Sequence, residues 1–531
     1  MLSTLSEKKI HAVRVAIFLA WLLLIVSLFY DPITAIFTQP EHTWSWLADD
    51  NIAQSFDPDS CIRVQDQCIA LASYPVGTRV FWGMVVPSAI FVVLVLGHEF
   101  WRRICPLYFF SQLPRALQMK PQLNIEQNAW LKQNHFYVQF VLFYLGITAR
   151  ILFINALRPA AGMFFILTLL SAASVVALYG GRSWCHYVCP FGMVQTVFTG
   201  PKGLLASEAH TAKPYSITQS MCRTVNEQGN EESACVSCKS ACMDIDAEQS
   251  YWAPLHQPGR NLVQYGYLGL VVGYFSYYWL YAGNMNYYFS GVWSYEPWKA
   301  ESLLGSGFYI FGSPIAVPKL VAAPLTLGAF AIASYYLCTL IERYYRGVLK
   351  QKDPTATAEK SLHRMFSICT FIAFNVFFIY GGRPEINKLP IAVQFAFQAM
   401  IAVVSSLWLY QSWGRSAELY QQESVADKQQ RMLKKLPVNI DELLEEKALQ
   451  QLNAGEIGIL AKVMPRLVHM PNSRASEVST FSPLTNQKQP SLEHTLPKTA
   501  LRRRRDSSSS NKRTDISSSM NTPKTTIRRL P

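Results

Sequence analysis

The sequence lacks the signatures of the common soluble enzyme classes. It shows no catalytic triad, no phosphate-binding Walker loop and no glycine-rich dinucleotide fingerprint. Flavin or nicotinamide chemistry would therefore have to come from a separate partner. Histidines deep inside apolar segments are also missing, because His98, His135 and His363 all lie near segment ends. Since b-type haem needs paired histidines within the bilayer, this pattern argues against a membrane cytochrome.

What the sequence has in abundance is apolar length. Half of the 531 residues are hydrophobic, and apolar runs recur eight times near the ~20 residues that a helix needs to cross a bilayer. No small-residue cleavage site follows the first run, so we interpret it as a span rather than a secretory signal. The sequence predicts an all-α polytopic membrane protein with about eight transmembrane helices. The predicted spans cover residues 12–30, 81–97, 136–157, 161–180, 262–283, 320–341, 365–381 and 391–410.

The net charge of +13 is largely carried by the C-terminal tail, which reads LRRRRDSSSSNKRTDISSS. Such a segment is too polar to bury a core, which predicts a disordered tail. A solvated tail is the simplest interpretation, with contact to anionic membrane lipid as the alternative and no binding of nucleic acid expected. Lys and Arg also favour the N-terminus and alternate loops, whereas the first loop is acidic. This alternation predicts an inner-membrane protein with both termini in the cytoplasm.

These features divide the chain into five predicted segments. Two membrane domains flank a cytoplasmic cysteine-rich loop, and a helical segment and the basic tail follow the last span. The predicted boundaries are 1–200, 201–260, 261–411, 412–465 and 466–531.

The predicted topology sorts the eleven cysteines by redox compartment. Cys61 and Cys68 lie in the first outer loop, where a small disulfide is expected. Cys338 and Cys369 lie within predicted spans, where a packing role is expected. The others lie at or beyond the inner face, where thiols stay reduced and can bind metal: Cys105, Cys185, Cys189, Cys222, Cys235, Cys238 and Cys242.

Four of these thiols lie within one short segment, here called the four-cysteine loop: Cys222, Cys235, Cys238 and Cys242. The last three follow a C-x2-C-x3-C spacing, whose short steps let loop amides point at the sulfurs. Four thiolates can surround one tetrahedral centre, and both a [4Fe–4S] cluster and a structural zinc ion fit them. The spacing favours the cluster and leaves zinc open.

Two further thiols lie where the fourth apolar run ends, in GRSWCHYVCPFGM. In an α-helix, Cys185 and Cys189 would be i and i+4, so both sulfurs would leave one face. Pro190 would then stop or kink that helix. A metal site here needs more ligands. Cys105 and His186 are candidates, since histidine can replace cysteine at iron–sulfur irons.

This motif resembles the C-x3-C-P signature of the NapH/NosR-like membrane-bound polyferredoxins. GHEFWRRICPLYFFSQLPR, around Cys105, is similar to the matching first motif, with Trp101 standing where that motif has a thiol. The resemblance covers roughly residues 81–252. It implies [4Fe–4S] clusters at the cytoplasmic face that pass electrons between the quinone pool, or another membrane donor, and a separate redox protein. It also implies an electron carrier or oxidoreductase subunit rather than a stand-alone enzyme.

We therefore predict one [4Fe–4S] cluster on the four-cysteine loop. A second site at Cys185 and Cys189, with Cys105, is the further hypothesis. The competing interpretation is a non-catalytic membrane assembly or regulatory protein with a structural zinc site in the loop. The identity of the bound metal separates the two.

Two other features remain open at this stage. Arg150 is a strong charge inside a predicted span, where it either contacts a ligand such as a quinone head group or extends to the membrane surface. The segment NMNYYFSGVWSYEPWK is dense in Tyr and Trp, which predicts an aromatic belt at the interface. The alternative is a contact with a partner or a quinone on the outer face.

Overall fold

The fold is mostly helical, and the long helices coincide with the apolar runs of the sequence. The computed structural model describes residues 7–39, 61–70, 72–119, 121–123, 128–181, 183–206, 223–225, 231–233, 247–354 and 357–423, and every structural statement below refers to these residues. The four cysteines of the four-cysteine loop, most of the predicted helical segment 412–465 and the basic tail lie outside them. The five predicted segment boundaries therefore stay predictions.

The α-helices are α1 (Glu7–Phe29), α2 (Thr34–Thr38), α3 (Val76–Val80), α4 (Val86–Ile104), α5 (Pro106–Ser111), α6 (Leu113–Ala116), α7 (Ala129–Ala149), α8 (Arg158–Tyr179), α9 (Pro190–Thr199), α10 (Ala247–Trp252), α11 (Tyr267–Ala282), α12 (Asn286–Phe289), α13 (Lys319–Lys352), α14 (Ala358–Tyr380), α15 (Arg383–Ile386) and α16 (Ile391–Trp413). Turns of π-helix cover Phe81–Val85, Arg150–Ile154, Trp184–Val188 and Leu262–Gly266, and 3-10 turns cover Val292–Ser294 and Ala300–Leu303. Short strands pair into antiparallel hairpins: β1 (Cys61–Val64) with β2 (Gln67–Ala70), β3 (Arg223–Val225) with β4 (Glu231–Ser233), and β5 (Ser306–Ile310) with β6 (Ser313–Pro318).

Among the described residues, seven helical segments are long and apolar enough to cross a membrane. They are His11–Phe29, Val76–His98, Ala129–Ile154, Arg158–Tyr179, Lys319–Lys352, Ala358–Tyr380 and Ile391–Trp413. Several of their large apolar side chains face outward; Leu23 is 70% and Leu167 57% exposed. Such exposure would be costly in water and is expected for side chains that face lipid. These helices are compatible with a multi-pass membrane protein.

The remaining predicted span, 262–283, is helical but differs in composition. It consists of the π-helical turn Leu262–Gly266 and the tyrosine-rich α11, whose hydroxyl groups lower its hydropathy. Helix α11 packs closely against α13, since a Cβ on Gly269 would lie 2.2 Å from the Phe330 carbonyl oxygen. A central, buried position explains both its tyrosines and its glycines. The total of eight spans stays a prediction.

The aromatic segment after α11 packs inward and does not form the predicted interfacial belt. Tyr287, Tyr288 and Trp293 are each 3% exposed and belong to the main hydrophobic core. The Tyr287 hydroxyl donates to Glu296 at 2.5 Å, and the Trp293 Nε1 donates to the Tyr288 carbonyl at 3.1 Å. Because the Tyr287 hydroxyl and the Trp293 N–H find partners inside, the cost of burying these two polar groups is offset.

A disulfide joins Cys61 to Cys68 across the β1–β2 hairpin, with the Cα atoms 5.4 Å apart. The hairpin turn is fixed to the end of α11, because the Gln65 backbone N–H donates to the Ala282 carbonyl at 3.1 Å. The Gln65 side chain also donates to the Ser306 carbonyl at 2.9 Å. We call this end of the helices the disulfide face.

Candidate metal centre

Two Cys-Pro steps form nearly identical turns. Cys105 lies between α4 and α5 with φ −62° and ψ 120°, and Cys189 lies between the π-helical turn and α9 with φ −55° and ψ 118°. The cause is local, because a residue before proline is driven out of the helical region and proline is favoured at the first helical position. Each sulfur therefore lies beside the free N–H groups that begin the next helix.

A glycine precedes each Cys-Pro step: Gly97 interrupts α4 with a kink, and Gly180 ends α8. Gly97 adopts φ 77° and ψ 166°, and Gly180 adopts φ 71° and ψ −178°. Only glycine enters this region without strain. Gly97 lies eight positions before its cysteine and Gly180 nine, and the extra residue is taken up by the π-helical turn Trp184–Val188.

Each of the two segments consists of a helix, a glycine and a Cys-Pro step, and we call them the first and the second copy of the motif. The two copies hydrogen-bond crosswise, through helix carbonyl groups that the glycines leave without a helical partner. The Leu94 carbonyl accepts from the Leu204 N–H at 3.0 Å, so the first copy's helix receives the segment after α9. The Leu178 carbonyl accepts from the Gln122 and Leu123 N–H groups at 3.0 and 2.8 Å, so the second copy's helix receives the segment after α6. Helix α4 also packs on α9, and α5 on α8. This exchange brings the two Cys-Pro turns together.

The three thiols at this junction are not disulfide-bonded, and they are mostly inaccessible. Cys185 is 7% and Cys189 5% exposed, and Cys105 packs against the same cluster with Tyr108 and Trp184. The sequence-based assignment of Cys185 to an α-helix is wrong. It lies in the π-helical turn, where the Cys189 N–H donates to the Trp184 carbonyl at 2.8 Å. The wider turn still directs positions four apart to similar sides.

Burial and mutual charge keep the Cys105 and Cys189 thiols protonated in the absence of metal. Burial, reinforced by Cys185, raises the pKa of the Cys105 thiol to about 12. Burial, then Cys185 and Cys105, likewise raises the pKa of the Cys189 thiol. The N–H groups at the start of the following helices act in the opposite direction. Since a metal binds the thiolate, loading this site must release protons.

Polar side chains hold the turns in place around the thiols. The Gln139 Nε2 on α7 donates to the His186 carbonyl at 3.0 Å and lies 3.5 Å from the Cys185 carbonyl. Arg102, 2% exposed, donates from Nε to the Gln195 Oε1 at 3.2 Å, and its positive charge lowers the pKa of the Cys105 thiol against the larger effect of burial. Gln139 carries no motif and is missed by sequence analysis. Its one signal is an amide inside an apolar run.

The described thiols do not complete a metal site. Nowhere in the described ranges do three or more Cys, His, Asp or Glu side chains stand as a group that could hold a metal ion. Trp101 occupies the position of a fourth thiol and packs its ring 5.4 Å from that of Phe191. The thiol chemistry, the burial and the nearby N–H groups suit iron–sulfur ligation, but the number of ligands is short.

Cys338 and Cys369 lie apart from this centre. Their sulfurs are 3.8 Å from each other, between α13 and α14, in a separate buried cluster. This placement agrees with the packing role expected from the sequence.

A large cavity opens directly from the thiols. Its volume is about 1010 Å³ and it runs between α1, α4, α7, α8 and α11. It is open at the side, because its wall includes outward-facing side chains such as Leu23 and Leu167. Cys105, Cys185 and Cys189 line one end and Arg150 lines the other. Three of the π-helical turns contribute residues to its wall, namely Trp82, Arg150 and Cys185. The rest of the wall is largely apolar.

A family model described as a 4Fe–4S binding domain (Fer4_5) matches residues 162–205. The matched segment starts in α8 and ends after α9, so it contains Cys185 and Cys189 but neither Cys105 nor the four-cysteine loop. The match supports an iron–sulfur protein. No curated protein and no solved structure matches the chain. The NapH/NosR-like resemblance stays a prediction.

Proposed function

We propose that this chain is a membrane-bound electron-transfer protein that carries [4Fe–4S] clusters at the cytoplasmic face. The observation that carries the proposal is the match to a 4Fe–4S binding domain over residues 162–205, in a segment whose two thiols are buried beside a third. Several apolar helices around this segment are long enough to span a bilayer.

The chain's own residues would ligate and tune the cluster. Cys185, Cys189 and Cys105 are the thiols at the membrane edge, and the four-cysteine loop is the second ligand set. A cluster supplies one-electron redox chemistry when bound. The protein supplies a site shielded from water, N–H groups beside the sulfurs and the buried cation of Arg102, each of which stabilises negative charge on sulfur.

The partners follow from the placement of this site. A thiol centre at the end of the spans, open to an apolar cavity, suits a lipid-soluble donor such as a quinone on one side and a separate redox protein on the other. The Lys- and Arg-rich loops support an inner-membrane protein with this end and both termini on the cytoplasmic side. The basic tail is expected to contact lipid.

Three matched substitutions test the proposal. Cys189→Ser removes a membrane-edge thiol, Cys238→Ser removes a loop thiol, and Cys338→Ser removes a thiol of the separate buried pair. Visible absorbance and iron content are measured on full-length protein purified in detergent without oxygen.

We expect Cys189→Ser to lose iron and visible absorbance and Cys338→Ser to keep both. Cys238→Ser should also lose them if the four-cysteine loop holds a cluster of its own. Loss in one of the first two variants alone assigns the cluster to that ligand set. Iron unchanged in both overturns the proposal, as does stoichiometric zinc in the unsubstituted chain.

A further inference from the structure

Arg150 is a buried cation whose guanidinium lies at the end of the large cavity farthest from the thiols. It is 8% exposed, so it does not extend to the membrane surface. No carboxylate in the described part of the chain forms an ion pair with it. Its Nε donates to the Asn155 Oδ1 at 3.1 Å, and its guanidinium carbon lies 3.9 Å from the centre of the Trp82 ring and 4.9 Å from that of Tyr274.

This environment leaves hydrogen-bonding capacity for a ligand. An arginine carries five N–H donors and is charged at any ordinary pH. Aromatic faces stabilise the cation but accept none of its in-plane hydrogen bonds. The nitrogens of Arg150 beyond Nε therefore favour an acceptor oxygen that enters from the cavity.

The cavity has the shape of an elongated, amphipathic ligand. Its two ends are separated along α7 by eleven residues, from Gln139 beside Cys185 to Arg150, which is about 16 Å at 1.5 Å per residue. Its volume is at the upper end of the ~300–1,000 Å³ typical of small-molecule sites. Between the ends the wall is built from apolar side chains such as Phe143, Ile147 and Leu270. The polar end suits a polar ring, and the apolar passage suits a hydrocarbon tail attached to it.

The polar end also connects to a group that can accept protons. The Tyr274 hydroxyl faces the Tyr278 hydroxyl at 2.6 Å, and the Asn155 Nδ2 donates to Tyr278 at 2.8 Å. A small cavity of about 20 Å³ is lined by Asn155, Tyr278 and Glu296, and Glu296 is also ion-paired with Lys319 at 3.9 Å. That volume exceeds the ~10–15 Å³ that one water needs. Glu296 accepts from the Tyr281 hydroxyl at 2.7 Å on its far side.

We propose that the Arg150 end of the large cavity binds the ring of a tailed quinone, with one ring oxygen accepting from Arg150. Trp82 and Tyr274 contact the ring, and the tail runs along α7 toward the thiols. A phospholipid would use the cation and the apolar passage, but its head group does not exchange protons with the paired hydroxyls of Tyr274 and Tyr278. A quinone does, because its oxygens gain and lose protons with its redox state. This inference rests on the proposed function and names its membrane partner.

The chain offers a matched pair of glycines for the test. A Cβ at Gly146, in the cavity wall, meets no atom within 4 Å, and the same is true of Gly347, on α13 away from the cavity. Gly146→Leu therefore fills the passage without displacing backbone, and Gly347→Leu is its control. Arg150→Leu removes the donor. Binding of a short-tailed benzoquinone to the full chain in detergent is measured by titration calorimetry, with iron content measured on each sample.

We expect Arg150→Leu to bind about 10- to 100-fold more weakly, as for loss of a charged hydrogen bond. Gly146→Leu should bind the quinone at least about tenfold more weakly, whereas Gly347→Leu should bind it as tightly as the unsubstituted chain does. Iron content should be unchanged in all three variants. An iron-containing chain that binds no quinone, or binds it equally in both glycine variants, overturns this inference and leaves the proposed function standing. Co-purified phospholipid lost from Gly146→Leu, with quinone affinity unchanged, assigns the cavity to lipid and also overturns it. Absence of iron and sulfide overturns the proposed function instead.

Discussion

Gly192, the third residue of α9, is the position where a single methyl group should disturb the metal centre most. A Cβ there would lie 2.7 Å from the Cys185 carbonyl oxygen and 2.9 Å from the Gln139 Nε2. Both distances are below ordinary contact, and one of the two atoms is backbone, which cannot rotate away. Gly192→Ala must therefore push the turn that carries Cys185 away from Cys189.

The magnitude follows from three opposing effects. Overpacking of a buried site costs about 1–3 kcal/mol, and loss of the Gln139 hydrogen bond costs about 1 kcal/mol more. Replacing a helical glycine returns about 0.5–1 kcal/mol. We expect Gly192→Ala to lower the free energy of unfolding by about 1–3 kcal/mol and to reduce the iron bound per chain.

The control is Gly347→Ala, where the new methyl group meets no atom within 4 Å. It should leave iron content unchanged and stabilise the chain by up to about 1 kcal/mol. Denaturant titration in detergent gives the stability and colorimetry gives the iron. If Gly192→Ala matches this control in both, the tight packing described around Cys185 is not what holds the site.

Three further predictions concern the disulfide, a buried ion pair and proton release. Replacing Cys61 and Cys68 with Ser should lower stability by about 2–3 kcal/mol, from loop entropy, while iron content stays the same; a loss of iron would contradict the separation of the two regions. Glu385→Gln should cost about 3 kcal/mol in a denaturant titration, because it strands Arg79, 4% exposed and paired at 2.7 Å; an effect below 1 kcal/mol would refute this. The affinity of metal-free protein for iron should weaken as the pH falls from 9 to 7, by about tenfold per pH unit for each thiol that must lose a proton. The reason is that the raised pKa of Cys105, about 12, keeps this thiol protonated throughout the range. Iron uptake that does not depend on pH would argue against Cys105 as a ligand.

The parts of this fold that sequence predicts well are those set by local rules. Apolar length located the helices, and Pro106 and Pro190 marked where two of them restart. The π-helical turn at Cys185 could not be predicted, because it depends on how α9 and the segment before it pack against α4 and α7. The crosswise hydrogen bonds between the two Cys-Pro copies likewise join residues far apart in the chain.

Burial of polar groups was the other feature beyond reach of the sequence. The choice between surface and interior for Arg150 depends on the rings of Trp82 and Tyr274, which come from other helices. The hydroxyls of two α11 tyrosines find partners inside the protein, because Glu296 accepts from Tyr281 and Asn155 donates to Tyr278. Patterns in one segment do not show what a neighbouring segment provides.

The content of iron, acid-labile sulfide and zinc per chain tests the central claim most directly, on full-length protein purified in detergent without oxygen. A [4Fe–4S] electron-transfer protein should contain about four irons and four sulfides per chain for one cluster, or about eight of each when both ligand sets are loaded. Stoichiometric zinc without sulfide would contradict the central claim and leave a structural membrane protein in its place.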